Sequence, residues 1–102
     1  MTQPAIIMTT DGTYYIGNTD IQENSLWISM DYCLCVKSSR INFDFDIADN
    51  PAILSGVSKV TRVNATVRLP IGSVARVTCI TPGVFRQLCN YDYESVHTAV
   101  FE

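Results

Sequence analysis

The chain has 102 residues, with seven basic and ten acidic side chains and a net charge of −3. That length suits one domain with a single core, and an apolar share of 47% with 17% charged residues is globular, not disordered. The acidic balance excludes a general attraction to nucleic acid or anionic membrane, so either would need a local patch. No stretch approaches the roughly 18 apolar residues that span a bilayer, and the first residues lack the pattern of a secretory signal. We therefore expect a cytoplasmic protein with no membrane contact, whose four cysteines are free thiols.

The first predicted element is a β-hairpin. Residues 5–10 and 13–19 have strand-like composition, and Asp11-Gly12 between them tolerates the positive φ angles of a two-residue type I′ turn. The cross-strand pairs that such a turn predicts are Met8 with Tyr15 and Ile7 with Ile16.

The middle of the chain continues in the strand pattern. A second turn region is expected over residues 17–25, and residues 26–37 alternate as one long bent strand or two short ones. The cleanest apolar–polar alternation covers residues 41–47, which predicts a half-buried strand. Residues 48–56 contain Asn-Pro and a glycine and are expected to be a loop.

The last third of the chain changes from strands to a helix. Residues 57–69 and 73–80 are predicted strands, rich in valine and threonine. Thr81 is a good N-cap and is followed by a proline, so we expect a short helix over residues 82–90. The tail, residues 91–102, would add an edge strand.

Five residues at the start of the chain share one spacing: Ile7, Asp11, Gly12, Tyr15 and Gly17. An apolar residue precedes an Asp-Gly turn, an aromatic residue stands three positions after the first glycine, and a second glycine stands five positions after it. The second glycine lets the strand bend sharply. This pattern resembles the first motif of the Sm-like (LSm and Hfq-type) family, and the chain looks closest to short Sm-like proteins of tailed phages and marine metagenomes.

The resemblance implies a fold and an assembly. The fold would be all-β: a small, strongly bent, Sm-like (SH3-type) open barrel of about five strands with a short C-terminal helix, formed by residues 1–102 as a single domain. Open edge strands of such barrels pair between subunits, so a homo-oligomeric ring is expected. Single-stranded RNA would be the ligand, in the cytoplasm of a microbial host. Asp20 and Asn24 have the spacing of the family's Asp and Asn in the loop before the third strand, where the Asn contacts an RNA base.

Basic side chains are concentrated in one part of the chain. Residues 50–91 contain no acidic residue. A local patch of this kind could bind phosphate or an RNA backbone, could meet the acidic first half of a neighbouring subunit, or could be ordinary solvated charge. The five basic residues are Lys59, Arg62, Arg68, Arg76 and Arg86, of which Arg62, Arg68 and Arg76 are the candidate RNA-binding residues.

No motif for catalysis or metal binding stands out. Cys33 and Cys35 lack the spacing of a zinc knuckle and are expected to pack as small hydrophobes. His97 is the single histidine and has no nucleophile motif around it. Asp44, with the two aspartates that follow it, is expected on a solvated strand face. We therefore predict no enzyme activity, no metal and no cofactor.

Three functional hypotheses follow from the sequence. The first is a ring-forming module that binds single-stranded RNA. The second is a protein-interaction or virion-associated ring with no role in nucleic-acid binding. The third is a small-molecule or hydrolytic activity, for which the sequence offers no nucleophile, acid–base pair or metal cluster.

Overall fold

The protein is described by a computed structural model over residues 2–21, 26–37, 42–56, 60–63, 65–90 and 94–96. These residues form one seven-stranded, mostly antiparallel sheet with two short α-helices, so the expectation of an all-β chain with a C-terminal helix is confirmed in outline. In chain order the elements are β1 (Thr2–Thr9), β2 (Thr13–Asp20), β3 (Trp27–Lys37), α1 (Phe43–Asp49), a 3₁₀ turn (Pro51–Gly56), β4 (Val60–Val63), β5 (Val67–Pro70), a second 3₁₀ turn (Ile71–Ser73), β6 (Val74–Cys79), α2 (Pro82–Cys89) and β7 (Glu94–Val96).

The sheet curls because a very short connection joins β5 to β6. The strand order is β6-β1-β2-β3-β4-β7, and β5 follows β4 along the same side of β3. Only the 3₁₀ turn Ile71–Ser73 lies between β5, which pairs with β3, and β6, which pairs with β1. Ile71 N–H donates to the Leu26 carbonyl and Thr10 N–H donates to the Ser73 carbonyl, both at 2.9 Å. The result is a curled, barrel-like open sheet.

The predicted hairpin is present, but its turn has three residues and not two. Gly12 takes the left-handed conformation, with φ 86°, and its N–H donates to the Thr9 carbonyl at 3.1 Å. The Asp11 carboxylate accepts hydrogen bonds from the Thr13 N–H and the Thr9 hydroxyl. A type I turn closed by a left-handed glycine is a common three-residue hairpin loop, and it moves the register by one residue. The predicted pairs are therefore wrong, and the observed ones are Met8 with Tyr14, Ile7 with Tyr15 and Ile6 with Ile16.

A β-bulge between β2 and β3 sends one alternating series of side chains to both faces of the sheet. Ile16 pairs with Leu34 but Asn18 pairs with Asp31, so two residues of β3 lie opposite Gly17. A bulge of this kind re-aims the side chains beyond it. Ile28 and Met30, before the bulge, therefore face one side of the sheet, whereas Leu34 and Val36, after the bulge, face the other side.

Two apolar clusters result, one on each face of the sheet. The inner cluster is built from strands alone, and the sheet curls around it. It consists of Ile7, Tyr15, Ile28, Met30, Val63, Val67 and Leu69. The helix-side cluster lies on the opposite face, which we call the outer face, beneath α1 and α2. It consists of Ile6, Tyr14, Ile16, Leu34, Val36, Phe43, Ile47, Leu54, Val60 and Leu88.

The largest difference between prediction and structure is α1. Residues 41–47 were predicted to be a half-buried strand, yet residues 43–49 are helical, and residue 41 lies outside the described part. Phe43 and Ile47, one helical turn apart, are buried, whereas Phe45 between them is half exposed. The apolar residues thus fitted both a period of two and a helical i, i+4 spacing, and burial of Phe43 and Ile47 on the sheet decided between them.

The remaining predictions vary in accuracy. The turn region over 17–25 is wrong at its start, because β2 runs through Asp20, and residues 22–25 lie outside the described part. Residues 48–56 are the end of α1 and a 3₁₀ turn, not a loop. The single strand predicted over residues 57–69 is divided into two, β4 and β5, and residues 57–59 and 64 lie outside the described part. The strand predicted over residues 73–80 is confirmed as β6. The short C-terminal helix is confirmed as α2, with the Thr81 side chain accepting from Val84 N–H at 3.2 Å. In the tail, β7 is the expected edge strand, and it runs parallel to β4.

Candidate binding surface

Arg76, the first of the three candidate arginines, is held inside the fold. It lies on β6, where it pairs across the strand with Met8 on the outer face, beneath α1. Its Nε and Nη2 atoms donate to the two oxygens of the Asp44 carboxylate, at 2.8 and 2.5 Å. The Thr78 hydroxyl donates to the same carboxylate at 2.6 Å, and the guanidinium lies 4.7 Å from the centre of the Phe45 ring. These contacts of Arg76 and Thr78 with Asp44 and Phe45 fix α1 to the sheet, so Arg76 is a structural residue.

Asp44 is fully buried, contrary to the prediction that it faces solvent. Burial by itself would raise the pKa of Asp44, but the hydrogen bonds from Arg76 and Thr78 outweigh burial and hold that pKa below its usual value. Burial also raises the pKa of Tyr14, whose ring packs on Phe43 at 5.1 Å, and the nearby Asp44 charge adds to that rise. The carboxylate therefore stays ionised and paired in the folded protein.

Arg62 is engaged with the other helix. It lies on β4, opposite Leu34, and its Nη2 atom donates to the carbonyl oxygen of Cys89 at 2.7 Å. Cys89 is the last residue of α2, where the carbonyl groups lack partners within the helix and a cation is favourable. Burial raises the pKa of the Cys89 thiol, and the charge of Arg62 opposes that rise. Arg62 thus closes the C-terminal end of α2 onto the sheet.

Arg68 is the exposed member of the three. It lies on β5, its side chain is exposed, and its guanidinium carbon sits 4.9 Å from the centre of the Trp27 ring. Among the residues that the structure describes, no carboxylate forms an ion pair with it. The structure therefore separates the predicted basic patch: Arg62 and Arg76 bind the two helices, and Arg68 stays at the surface. Of the two remaining basic residues, Arg86 is exposed on α2, and Lys59 lies outside the described ranges.

Arg68 belongs to a part of the outer face where, among the described residues, no side chain belongs to the helix-side cluster. Asp20, Ser29 and Arg68 lie opposite one another on β2, β3 and β5, and residues directly opposite share a face. In the next row, Asp31 accepts a hydrogen bond from the Thr66 hydroxyl at 2.8 Å. We call this polar area the bare half of the outer face. Asp20, a candidate RNA-binding residue, is therefore in the same row as Arg68, while Asn24 falls outside the described residues.

An exposed apolar group borders the bare half. Leu26 is 77% exposed, Trp27 39% and Ile71 44%. Leu26 lies just before β3, at the start of the alternation predicted over residues 26–37. Ile71 lies in the 3₁₀ turn after β5, between the strands predicted over residues 57–69 and 73–80. A signal was available for both residues, because each is a large apolar residue at a turn, where exposure is common.

The two edges of the sheet are protected differently. One edge is β7, whose three residues pair with β4, and a strand this short offers little for another chain to pair with. The other edge is β6, with six residues and pairing to β1 on one side. Its single charged side chain, Arg76, is turned toward Asp44. Within the described part of the chain, no further strand pairs with β6 or with the second side of β5.

The described residues contain neither a cluster of metal-ligand side chains nor a membrane-spanning helix. No group of three or more histidine, cysteine or acidic side chains is close enough there to hold a metal ion. None of the helices in those residues is both long and apolar enough to cross a membrane. The free thiols seen are Cys35, Cys79 and Cys89, and Cys79 accepts a hydrogen bond from Gln3 Nε2 at 3.1 Å. His97 lies outside the described ranges.

Comparison with known proteins identifies a similar fold. A scan against models of protein families finds no match, and a search of curated proteins finds none either. Among solved structures, the chain is similar to a chain of the crystal structure of the NatC complex bound to CoA, with a TM-score of 0.51 and 14% sequence identity over 84% of each chain. At this identity the likeness shows a shared fold alone.

Proposed function

We propose that this protein is an Sm-like assembly module that forms a homo-oligomeric ring and works by binding other macromolecules, not by catalysis. The observation that carries the proposal is that, within the described part of the chain, no strand pairs with the outward side of β6 or with the second side of β5. The outward side of β6 in one copy pairs with the second side of β5 in the next copy, and a head-to-tail contact of this kind can close into a ring. The Sm-like spacing around Asp11 and Gly12 supports the same assignment.

The hydrogen-bonding direction of β6 can be assigned residue by residue. Ile80 N–H donates to the carbonyl of Pro4 on β1 at 3.1 Å. In an antiparallel pair, successive residues alternate between pointing toward the partner strand and away from it. The backbone groups of Cys79 and Val77 therefore point away from β1, toward a neighbouring copy. Cys79 is the better position to test, because its side chain is exposed and Val77 packs near the inner cluster.

The experiment is the mass in solution, measured by light scattering on a sizing column. The native protein is expected at a multiple of 11.3 kDa. Cys79→Pro removes one outward N–H and leaves the bonds to β1 in place, so we expect a lighter particle. Cys79→Ala is the matched control, because it loses only the thiol and keeps the backbone donor, and its mass should equal that of the native protein. A native protein that elutes as a monomer contradicts the ring.

Binding of single-stranded RNA is the second candidate function, and the Arg68–Trp27 pair favours it. An arginine stacked on an exposed aromatic ring is a typical platform for unpaired bases. Arg62 and Arg76 are bound to the helices, so the RNA hypothesis now depends on Arg68 with Asp20 and Asn24. It predicts that oligouridylate binds at low salt, that Arg68→Gln weakens binding, and that Arg86→Gln, the control on α2, does not. The cytoplasm of a microbial host remains the proposed compartment.

A further inference from the structure

Three exposed apolar residues and one exposed arginine occupy neighbouring backbone positions at one end of the sheet. Leu26, Trp27, Arg68 and Ile71 form this group, which we call the docking rim. Backbone pairing and one ring contact connect the four positions: Ile71 N–H donates to the Leu26 carbonyl, Trp27 pairs with Pro70 across β3 and β5, and Arg68 stacks on Trp27. The strands and the 3₁₀ turn hold the backbone of the rim in place, so little ordering is needed when a partner binds.

The composition of the docking rim is that of a protein interface. Single exposed apolar residues are normal on a protein surface, but three adjacent ones are less common. Tryptophan and arginine are the residue types that most often dominate the energy of protein–protein contacts. Leu26 and Ile71 beside them offer the apolar surroundings that exclude water from such a contact.

The charge of the rim indicates which partner fits it. Arg68 forms no ion pair among the described residues, in contrast to Arg76 with its buried carboxylate. Its guanidinium is stacked on a ring and keeps its N–H groups at the rim, which is the arrangement that binds a carboxylate well. We propose that the docking rim binds a segment of a partner protein that carries a carboxylate next to a bulky apolar side chain. The apolar side chain packs on Leu26, Trp27 and Ile71, and the carboxylate accepts hydrogen bonds from Arg68.

The same charges make a polynucleotide the poorer partner. Asp20 lies in the row of Arg68 on the same face, and Asp31 lies in the next row. A nucleic acid brings one phosphate with every nucleotide, and a strand that crosses this face would place phosphates over both aspartates. A short peptide needs to present a single carboxylate, which can reach Arg68 from the apolar side of the rim.

Trp27 makes the proposal directly measurable, because it is the single tryptophan of the chain. The probe is an acetylated and amidated hexapeptide, Ala-Leu-Phe-Glu-Leu-Ala, titrated against the full chain while tryptophan emission is recorded. The matched probe replaces its glutamate by glutamine. We expect a saturable change of emission with the acidic peptide and binding that is weaker by about tenfold with the neutral one, since glutamine still accepts a hydrogen bond from the Arg68 cation but lacks the negative charge that pairs with it.

Variants separate the rim from the rest of the surface. Arg68→Gln should remove the preference for the acidic peptide, and Leu26→Ser should weaken both peptides. Phe45→Ser is the control, because Phe45 is an exposed apolar residue on α1, and it should bind both peptides like the native chain. The ring proposal is tested separately, because Cys79→Pro should still bind the acidic peptide whatever its mass.

Three results would overturn the proposal. The first is equal binding of the acidic and neutral peptides, or no saturable signal with either. The second is a response to octauridylate that exceeds the response to the acidic peptide and disappears in Arg68→Gln, which would assign the rim to RNA. The third is a fall in particle mass on Leu26→Ser with no peptide binding by the native chain, which would assign the rim to a second copy of this chain.

Discussion

The two halves of the outer face carry arginines with opposite roles. In the half beneath α1, Arg76 is bound to the buried carboxylate of Asp44 and holds a helix on the sheet. In the bare half, Arg68 stacks on Trp27 and points its charge to the surface. Both arginines lie on strands that border the opening of the curled sheet. What distinguishes them is whether a helix covers that part of the sheet, and this is a property of the tertiary structure.

The largest loss of stability is expected where α1 is anchored in the covered half. Phe43 is buried in the helix-side cluster against Tyr14. We expect Phe43→Ala to lower the free energy of unfolding by about 3–5 kcal/mol, because a large cavity opens beneath α1. Urea unfolding followed by circular dichroism measures the loss. Phe45→Ala is the control on the same helix and should cost less than about 1 kcal/mol, since that ring is half exposed.

Asp44→Asn tests the charge in the covered half. The amide keeps the shape of the carboxylate but weakens the bonds from Arg76 and Thr78, so we expect a loss of about 1–3 kcal/mol at neutral pH. The native protein should also lose stability in acid. The folded pKa of Asp44 is lowered, so its contribution is complete above the ordinary value of 3.8 and is lost as the pH falls through the lower, folded value.

Unfolding curves measured from pH 6 down to pH 2 check this sign. The native protein should lose more stability over that range than Asp44→Asn, whose residue 44 has no proton to bind. Parallel curves for the two proteins would mean that Asp44 is not held ionised in the fold.

Two threonines, one in each half of the outer face, are expected to give smaller effects. Thr81 caps α2 on the covered half by accepting from Val84 N–H, and Thr81→Ala should cost about 1 kcal/mol. Thr66 donates to Asp31 at the exposed bare half, and Thr66→Ala should change stability by no more than about 0.5 kcal/mol. Thermal unfolding of both variants checks that Thr81→Ala loses more stability than Thr66→Ala. A larger loss for Thr66→Ala would mean that the contact in the bare half contributes more to stability.

The sequence predicted the outline of the fold and failed where two parts of the chain meet. The hairpin, the alternation in β3 and the Thr81-Pro start of α2 are local signals, and each gave the right element. The alternation of Phe43, Phe45 and Ile47 was also local, but packing on the sheet overrode it. The hairpin register depended on how the side chain of Asp11 bonds in the turn, which the dipeptide Asp-Gly does not specify.

The candidate site was predicted in its residue types but not in its arrangement. Arg62, Arg68 and Arg76 all looked like parts of one basic patch, because the intervening sequence contains no acid. Their partners come from elsewhere in the chain: Asp44 from α1, the carbonyl of Cys89 from α2, and Trp27 from β3. No spacing rule relates these partners to the arginines, so the assignment of Arg68 alone to the surface required the fold.

Arg76 holds a helix on the sheet, whereas Arg68 is exposed at the surface. Urea unfolding of Arg76→Gln beside Arg68→Gln separates these two roles, because the two substitutions are chemically identical. We expect a clear loss of stability for Arg76→Gln, which leaves the buried Asp44 carboxylate without its charged partner, and native stability for Arg68→Gln. Equal losses for the two variants, or a larger loss for Arg68→Gln, would contradict this assignment of roles.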